Sequence, residues 1–253
     1  MVCYVFKRYE LKYRLTVGQY RAVRAEIDKR LSPDAFGETT IQSLYYDTAD
    51  NRLVRASLEK PMYKEKLRLR CYGLNDSDKD VYLEMKRKYD GIVYKRRISC
   101  KEQEVNELFA GKYPTSQIGK ELGYFLDFYG ELLPKILILY DRAAFLDTEG
   151  DLRVTFDRNV RYRTVGLDFH TSLKGENLLP EDTVLMELKS GTSLPLWLCN
   201  LLCRENIQKQ SFSKYGAAYE REYRKSIISR SEALCLNPFF VTEMSPQPVS
   251  LSF

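Results

Sequence analysis

Lys64, Lys66, Arg68 and Arg70 occupy alternate positions of one segment, YKEKLRLRCY. In an extended chain successive side chains point to opposite faces, so these four cations share one face. The intervening positions are Tyr63, Glu65, Leu67, Leu69 and Cys71. A row of ammonium and guanidinium groups suits phosphate oxygens, and the planar arginine fork can give two parallel hydrogen bonds. Alone, such a strand would be read as half-buried, with its basic face in water. The pattern recurs, however. Glu10-Leu11-Lys12, Glu84-Met85-Lys86 and Glu187-Leu188-Lys189 each put a carboxylate and an ammonium on one face around an apolar residue. One copy is most simply a solvated ion pair, but three copies within apolar-alternating strands make that account much weaker. The lysines would hold phosphate oxygens, and the glutamates would coordinate a divalent cation bridging them.

Other basic residues keep the same parity. Lys95 and Arg97 alternate with Tyr94 and Arg96, Arg142 shares a face with Tyr140, and Arg153 shares one with Thr155 and Asp157. In SFSKYG, Ser213 resembles a helix N-cap followed by Lys214, which would place a hydroxyl, backbone N–H groups and an ammonium at a helix start. Acids interleaved on the basic faces count against nucleic acid as partner.

The elements that must position these groups read as strands with helices inserted. Residues 4–15 alternate, Thr16 resembles an N-cap, and 17–31 has helical periodicity. Strands follow at 41–47 and 62–72, then 81–88 and 92–99 around Asp90-Gly91, a hairpin signal. Helical stretches at 102–110 and 116–131 precede strands at 136–146 and 151–158, joined at Glu149-Gly150. A last strand spans 183–189, with helices at 194–209 and 214–228. The expected fold is α+β: an antiparallel β-barrel of about eight strands with helices packed outside. Lys66, Arg68 and Arg70 should point inward, with Leu67 and Leu69 outward beneath the helices. The expected domain covers 1–228, followed by a C-terminal tail over 229–253 with little periodicity. An interior with so many ionisable groups must be wet or hold a charged ligand.

Composition narrows the chemistry. The chain has 253 residues, 30% of them charged, and a formal net charge of only +5, so placement rather than bulk charge carries the argument. The six cysteines lack CxxC or zinc spacing and suit reduced thiols in a cytoplasmic protein. A single histidine, His170, argues against Ser-His-Asp triads and His-based metal sites; carboxylate ligands suit Mg²⁺ or Mn²⁺. No stretch approaches the ~20 apolar residues of a membrane span, so any membrane link would come through a partner.

RYELKY (8–13), SLYYDT (43–48), KEKLRLRCYG (64–73), YLEMKRKYDGIVYKRR (82–97), LYDRAAF (139–145), LRVTFD (152–157), LMELKSGTSLPLWL (185–198) and SFSKY (211–215) together resemble the VTC, or polyphosphate polymerase, domain of the CYTH-like triphosphate tunnel metalloenzymes. The resemblance implies a barrel with a basic tunnel and transfer of the ATP γ-phosphate to a growing polyphosphate chain, with Mn²⁺ or Mg²⁺. It implies that Lys12, Arg68, Arg70, Lys86, Lys95, Arg142 and Arg153 hold phosphate, with Lys214 beside the tunnel and Tyr140 and Ser213 as further contacts. Lys66, Arg97 and Lys189 join the substrate-binding set by parity. Glu187 matches the family's metal ligand, and Glu10 and Glu84 are further candidates. The family's partners include a membrane-embedded protein, which would hold this chain at the inner face of a membrane. Two alternatives stand: a tunnel triphosphatase hydrolysing inorganic triphosphate or a nucleotide, and a non-catalytic polyphosphate-binding module.

Overall fold

The alternation becomes one long antiparallel sheet in the computed structural model, which describes residues 9–75, 79–90, 92–147, 151–191 and 193–235, with side chains to 228. Its main strands are β1 (Tyr9–Thr16), β3 (Thr39–Asp47), β4 (Tyr63–Tyr72), β5 (Val81–Tyr89), β6 (Ile92–Cys100), β7 (Leu133–Leu146), β8 (Arg153–Arg163) and β10 (Thr183–Ser190). Two-residue strands β2 (Ser32–Pro33) and β9 (Glu176–Asn177) pair with β7 and β8. The helices are α1 (Val17–Ile27), α2 (Arg52–Leu58), α3 (Val105–Phe109), α4 (Gln117–Tyr129), α5 (Leu196–Arg204) and α6 (Lys214–Cys235).

Strand order is β1-β10-β8-β7-β3-β4-β5-β6. The sheet curls into a half-barrel, bringing Lys86 of β5 within 3.3 Å of both carboxylate oxygens of Glu10 on β1. Among the described residues, side chains rather than a backbone ladder bridge the two ends of the strand path.

One face of the sheet is apolar and covered by helices. α1 and α5 enclose Leu15, Phe145, Phe156, Met186 and Leu188. α3 and α4 enclose Leu67, Leu69, Leu83, Met85, Leu137 and Leu139. Leu67 and Leu69 thus face outward beneath helices, as their parity predicts. Fully burying side chains of this size stabilises the sheet by ~1.5–3 kcal/mol each. The cations alternating with them are left on the concave face.

Local signals account for the element ends. Thr16 caps α1 with a reciprocal Gln19 bond, and Ser116 caps α4 by accepting from the Gly119 N–H. Asp47, at the end of β3, accepts from the Leu53 and Val54 N–H groups and so fixes the start of α2. The helix read over 17–31 stops at Ile27 and continues as a turn. The helix read over 194–209 is confined to Leu196–Arg204, and Asn206 just beyond it has φ 51°. The strand read over 151–158 runs on to Arg163 through a pairing irregularity near Asn159, whose φ is 49°. Asp90 has φ 43°, suiting the tight hairpin, while Arg8, Gly91 and the Glu149-Gly150 turn lie outside the described residues.

The chain divides into two compact units, Met1–Ala218 and Tyr219–Phe253. The second is described as the continuation of α6; most of the expected tail lies outside the described residues. Cys100, Cys199 and Cys203 are free thiols. No helix among the described residues is long and apolar enough to cross a membrane.

Candidate active site

Residues directly opposite in an antiparallel ladder share a face, so the register identifies the concave lining. On β1 and β10, Glu10 faces Lys189 and Lys12 faces Glu187. Lys189 in turn faces Arg153, and Glu187 faces Thr155. Arg142 faces Asp157. Ser43 faces Arg70, and Tyr45 faces Arg68. Lys66 faces Lys86, and Arg68 faces Glu84. Glu84 faces Arg97, and Lys86 faces Lys95. All the strand-borne candidates therefore line one surface.

Three carboxylate centres organise it. Glu84, 0% exposed, accepts from Arg68 Nε at 2.8 Å and Arg97 Nε at 2.8 Å, with Lys95 Nζ at 2.6 Å and Arg70 Nε at 3.8 Å. Burial favours its protonated form, but Arg68, Arg70 and Lys95 outweigh that and hold the carboxyl well below the usual range. Its oxygens are taken up by these cations, so Glu84 serves as their shared counter-ion. Asp157 accepts two bonds from Arg142, at 2.6 and 2.8 Å, and a further one from Lys214. Burial raises its pKa, yet Arg142 and Lys214 bring it down to about 2.

The third centre pairs Glu10 and Glu187 around Lys12. Glu10 lies 3.2 Å from Lys12 and 3.3 Å from Lys86, and Glu187 lies 2.6 Å from Lys189. Burial opposes ionisation of Glu187, but Lys189, Lys12 and Arg142 hold its pKa well below the usual carboxylate value. Burial and the neighbouring Glu187 charge oppose ionisation of Glu10, but Lys86, Lys12 and Lys189 together outweigh them and lower its pKa. Among the described residues, no group of three His, Cys, Asp or Glu side chains is arranged to hold a metal by itself. Two adjacent ionised carboxylates do fit the oxygen-donor set of a hard divalent ion that takes its remaining ligands from phosphate oxygens.

Lys66 differs from its neighbours. Its Nζ donates to Ser213 Oγ at 2.7 Å and, among the described residues, forms no ion pair. Burial, followed by the charges of Lys12, Lys86, Lys64 and Arg68, pushes this ammonium down to about 7. Ser213 also accepts from the Gly216 N–H and thereby starts α6, as the sequence suggests. Lys214 lies 4.3 Å from the Tyr140 ring centroid, on which Arg142 also packs at 5.1 Å. Tyr140 accepts from Arg70 Nη2 at 3.3 Å. Arg153 is more exposed and meets Asp34 at 3.1 Å.

Several groups escape the sequence reading. Tyr45 accepts from Arg68 at 3.1 Å and stacks on Tyr215 with centroids 4.5 Å apart. Asp34 and Asp157 were not singled out as counter-ions, although Asp157 shares the parity of Arg153. Arg87 and Arg96, on the opposite parity, instead bind Glu65 and Glu121 on the helix-covered side. His170 meets Glu102 in a loop.

Residues 7–223 match the VTC domain. The chain belongs to the VTC domain family. One relative is vacuolar transporter chaperone complex subunit 4 of Schizosaccharomyces pombe, 24% identical over 225 residues, covering 70% of this chain. The match spans only 31% of that relative's length. A Bacillus halodurans structure described as a candidate adenylate cyclase has a TM-score of 0.52 and 12% identity, covering 82% of this chain and 95% of that one; it supports the fold alone. A Hippeastrum protein described as a candidate adenylyl cyclase with dominant triphosphatase activity aligns with TM-score 0.47 and 18% identity over 81% of this chain and 92% of that one. This VTC domain shares with the Bacillus halodurans protein a fold of curled antiparallel sheet and outer helices.

Proposed function

We propose that this VTC domain is an ATP-dependent polyphosphate polymerase. The observation that carries the reading is a concave surface rich in cations, on which Lys66 has a hydroxyl rather than a carboxylate as its partner. Such a surface is electrostatically incomplete without an anion. An extended polyphosphate supplies many anionic oxygens along one line and suits a continuous row of cations better than a single compact anion does.

Phosphoryl transfer depends chiefly on positioning and charge stabilisation. Arg68, Arg70, Arg142 and Arg153 would clamp the phosphates of ATP and of the chain, assisted by Lys12, Lys66, Lys86, Lys95, Arg97 and Lys189. Lys214 and Ser213 would act from the start of α6, and Tyr140 would brace Arg70 and Arg142. Glu10 and Glu187 would hold Mn²⁺ or Mg²⁺, which would supply charge neutralisation on bridged phosphate oxygens. The acceptor is a terminal phosphate already ionised, so no strong general base is required. The family relationship supports work beside a membrane-embedded partner, on the cytoplasmic side.

The test is to give the purified chain ATP with Mn²⁺ or Mg²⁺ and resolve the products on a gel. Long-chain polyphosphate is expected. Free phosphate without chain product would instead establish the triphosphatase reading, which the adjacent Glu10 and Glu187 favour because hydrolysis needs a metal to orient water. Binding without turnover would leave a polyphosphate-binding module.

A further inference from the structure

The concave surface carries buried polar groups that the fold leaves without partners. Among the described residues the atoms without a hydrogen bond include Ser43 Oγ, Thr155 Oγ1 and the Nε atoms of Arg153 and of Arg70, the last of which keeps only a long ion pair with Glu84 at 3.8 Å. All four can donate a hydrogen bond. The unpartnered atoms of Gln42, Asn75 and Asp147 are side-chain carbonyl or carboxylate oxygens, which accept, and a fifth unpartnered donor, Arg163 Nε, stands opposite Leu137 on the helix-covered face. By register, Ser43 stands opposite Arg70, and Thr155 stands opposite Glu187. Ser43 is 0% exposed and Thr155 2%, so bulk water is not their standing partner, and a ligand oxygen reaches them as the flanking long cationic side chains draw aside toward it. A buried donor left unmade is costly, and native proteins keep few of them. Four of these five donors share one charged surface, and that concentration indicates acceptor atoms arriving with a ligand.

We infer that Ser43 and Thr155 are substrate-binding residues whose hydroxyls donate to non-bridging phosphoryl oxygens, Ser43 beside Arg70 and Thr155 beside the Glu10–Glu187 pair. This deepens the polyanion reading and rests on it. The two hydroxyls add hydrogen bonds without charge. They grip phosphate oxygens at fixed points while adding nothing to the repulsion among the surrounding cations. A carboxylate-bearing or neutral ligand of similar length would present fewer acceptors to both places at once.

Calorimetric titration of the full chain with inorganic triphosphate, with metal chelated, tests the inference apart from turnover. Thr155→Val keeps the shape and removes the donor; Thr155→Ser restores it; Ser43→Ala removes the other. We expect the wild type and Thr155→Ser to bind alike, and Thr155→Val and Ser43→Ala to bind about ten-fold more weakly each. Without ligand, Thr155→Val should melt at or above the wild-type temperature, because a buried unpaired donor has been removed. Unchanged affinity in both variants overturns the inference and leaves the polyanion reading standing. A lower ligand-free melting temperature for Thr155→Val overturns the unpartnered-donor argument for that residue. Failure of the wild type to bind triphosphate overturns the polyanion reading and this inference with it.

Discussion

Arg70 is the residue whose chemistry is hardest to replace. Its guanidinium donates to Tyr140 through Nη2, and its buried Nε lies 3.8 Å from Glu84 without a hydrogen bond. Arg70→Ala should leave the fold intact, because Glu84 retains Arg68, Lys95 and Arg97. Turnover should fall by roughly 10²-fold or more, as when one preorganised charge-stabilising donor is lost. Arg70→Lys should not rescue it, since an ammonium cannot reproduce the fork; steady-state kinetics on both variants checks this. Lys66 makes the complementary pH prediction. Its folded pKa, about 7, lies below its ordinary 10.5. Between these values the unfolded chain binds more protons than the folded one, so this lysine's penalty on folding is complete below about pH 7 and is relieved as pH rises toward 10.5. A polyanion prefers the ammonium, so binding at pH 8 should take up a proton and weaken as pH rises. Calorimetry in buffers of different ionisation enthalpy should detect that uptake, and Lys66→Met should reduce it, the remainder coming from Lys95, which burial also pushes down to about 7. Equal uptake in the variant would assign the proton elsewhere.

At the scale of elements, the start of α6 is fixed by a contact distant in sequence. Tyr215 donates to Asp47 at 2.9 Å while its ring stacks on Tyr45. The same Asp47 accepts from the first turns of α2. Tyr215→Phe should therefore cost about 1 kcal/mol, the net worth of one hydrogen bond. It should also lower turnover by loosening Ser213 and Lys214. Asp47→Ala should destabilise more, by roughly 2–4 kcal/mol, because it leaves several buried donors unmade. Denaturant unfolding of the two variants checks the order. This linkage was not legible in the sequence, where α2 is a seven-residue helix without a full amphipathic repeat and Asp47 reads as a strand end. The strands were legible because a two-residue period needs only composition along the chain. The period also predicted which side of β4 would be charged. It could not reveal that Glu84 would meet cations from two neighbouring strands, or that Glu10 would meet Lys86 across the curl. Those pairings require register and curvature. Ser43 gave no signal either, and Thr155 only its shared face with Arg153, since a small hydroxyl residue suits both faces of a strand.

For the whole molecule, the helices bury one side of the sheet and leave like charges close together on the other. The cations around Lys66 repel one another, and the available carboxylates are already shared, with Asp157 serving Arg142 and Lys214 together. The ligand-free fold is therefore strained electrostatically at the surface it uses. A bound polyanion should stabilise it by mass action, ~2.7 kcal/mol at a hundred times the dissociation constant. For a chain of this size each kcal/mol raises the melting temperature by roughly 2–4 °C. Compared at equal ionic strength, the rise should increase from phosphate to pyrophosphate to triphosphate, because each added phosphoryl group reaches further along the row of cations. Added salt should diminish it, since partly exposed charges are screened over about 10 Å at 0.1 M. Thermal melts across this series separate a line of subsites from a single anion pocket. A plateau already reached with phosphate would mean that only one place on the surface binds, and the extended polyphosphate path would have to be abandoned. A graded rise that vanishes at high salt would show that the concave face and the chain it holds are matched along their length.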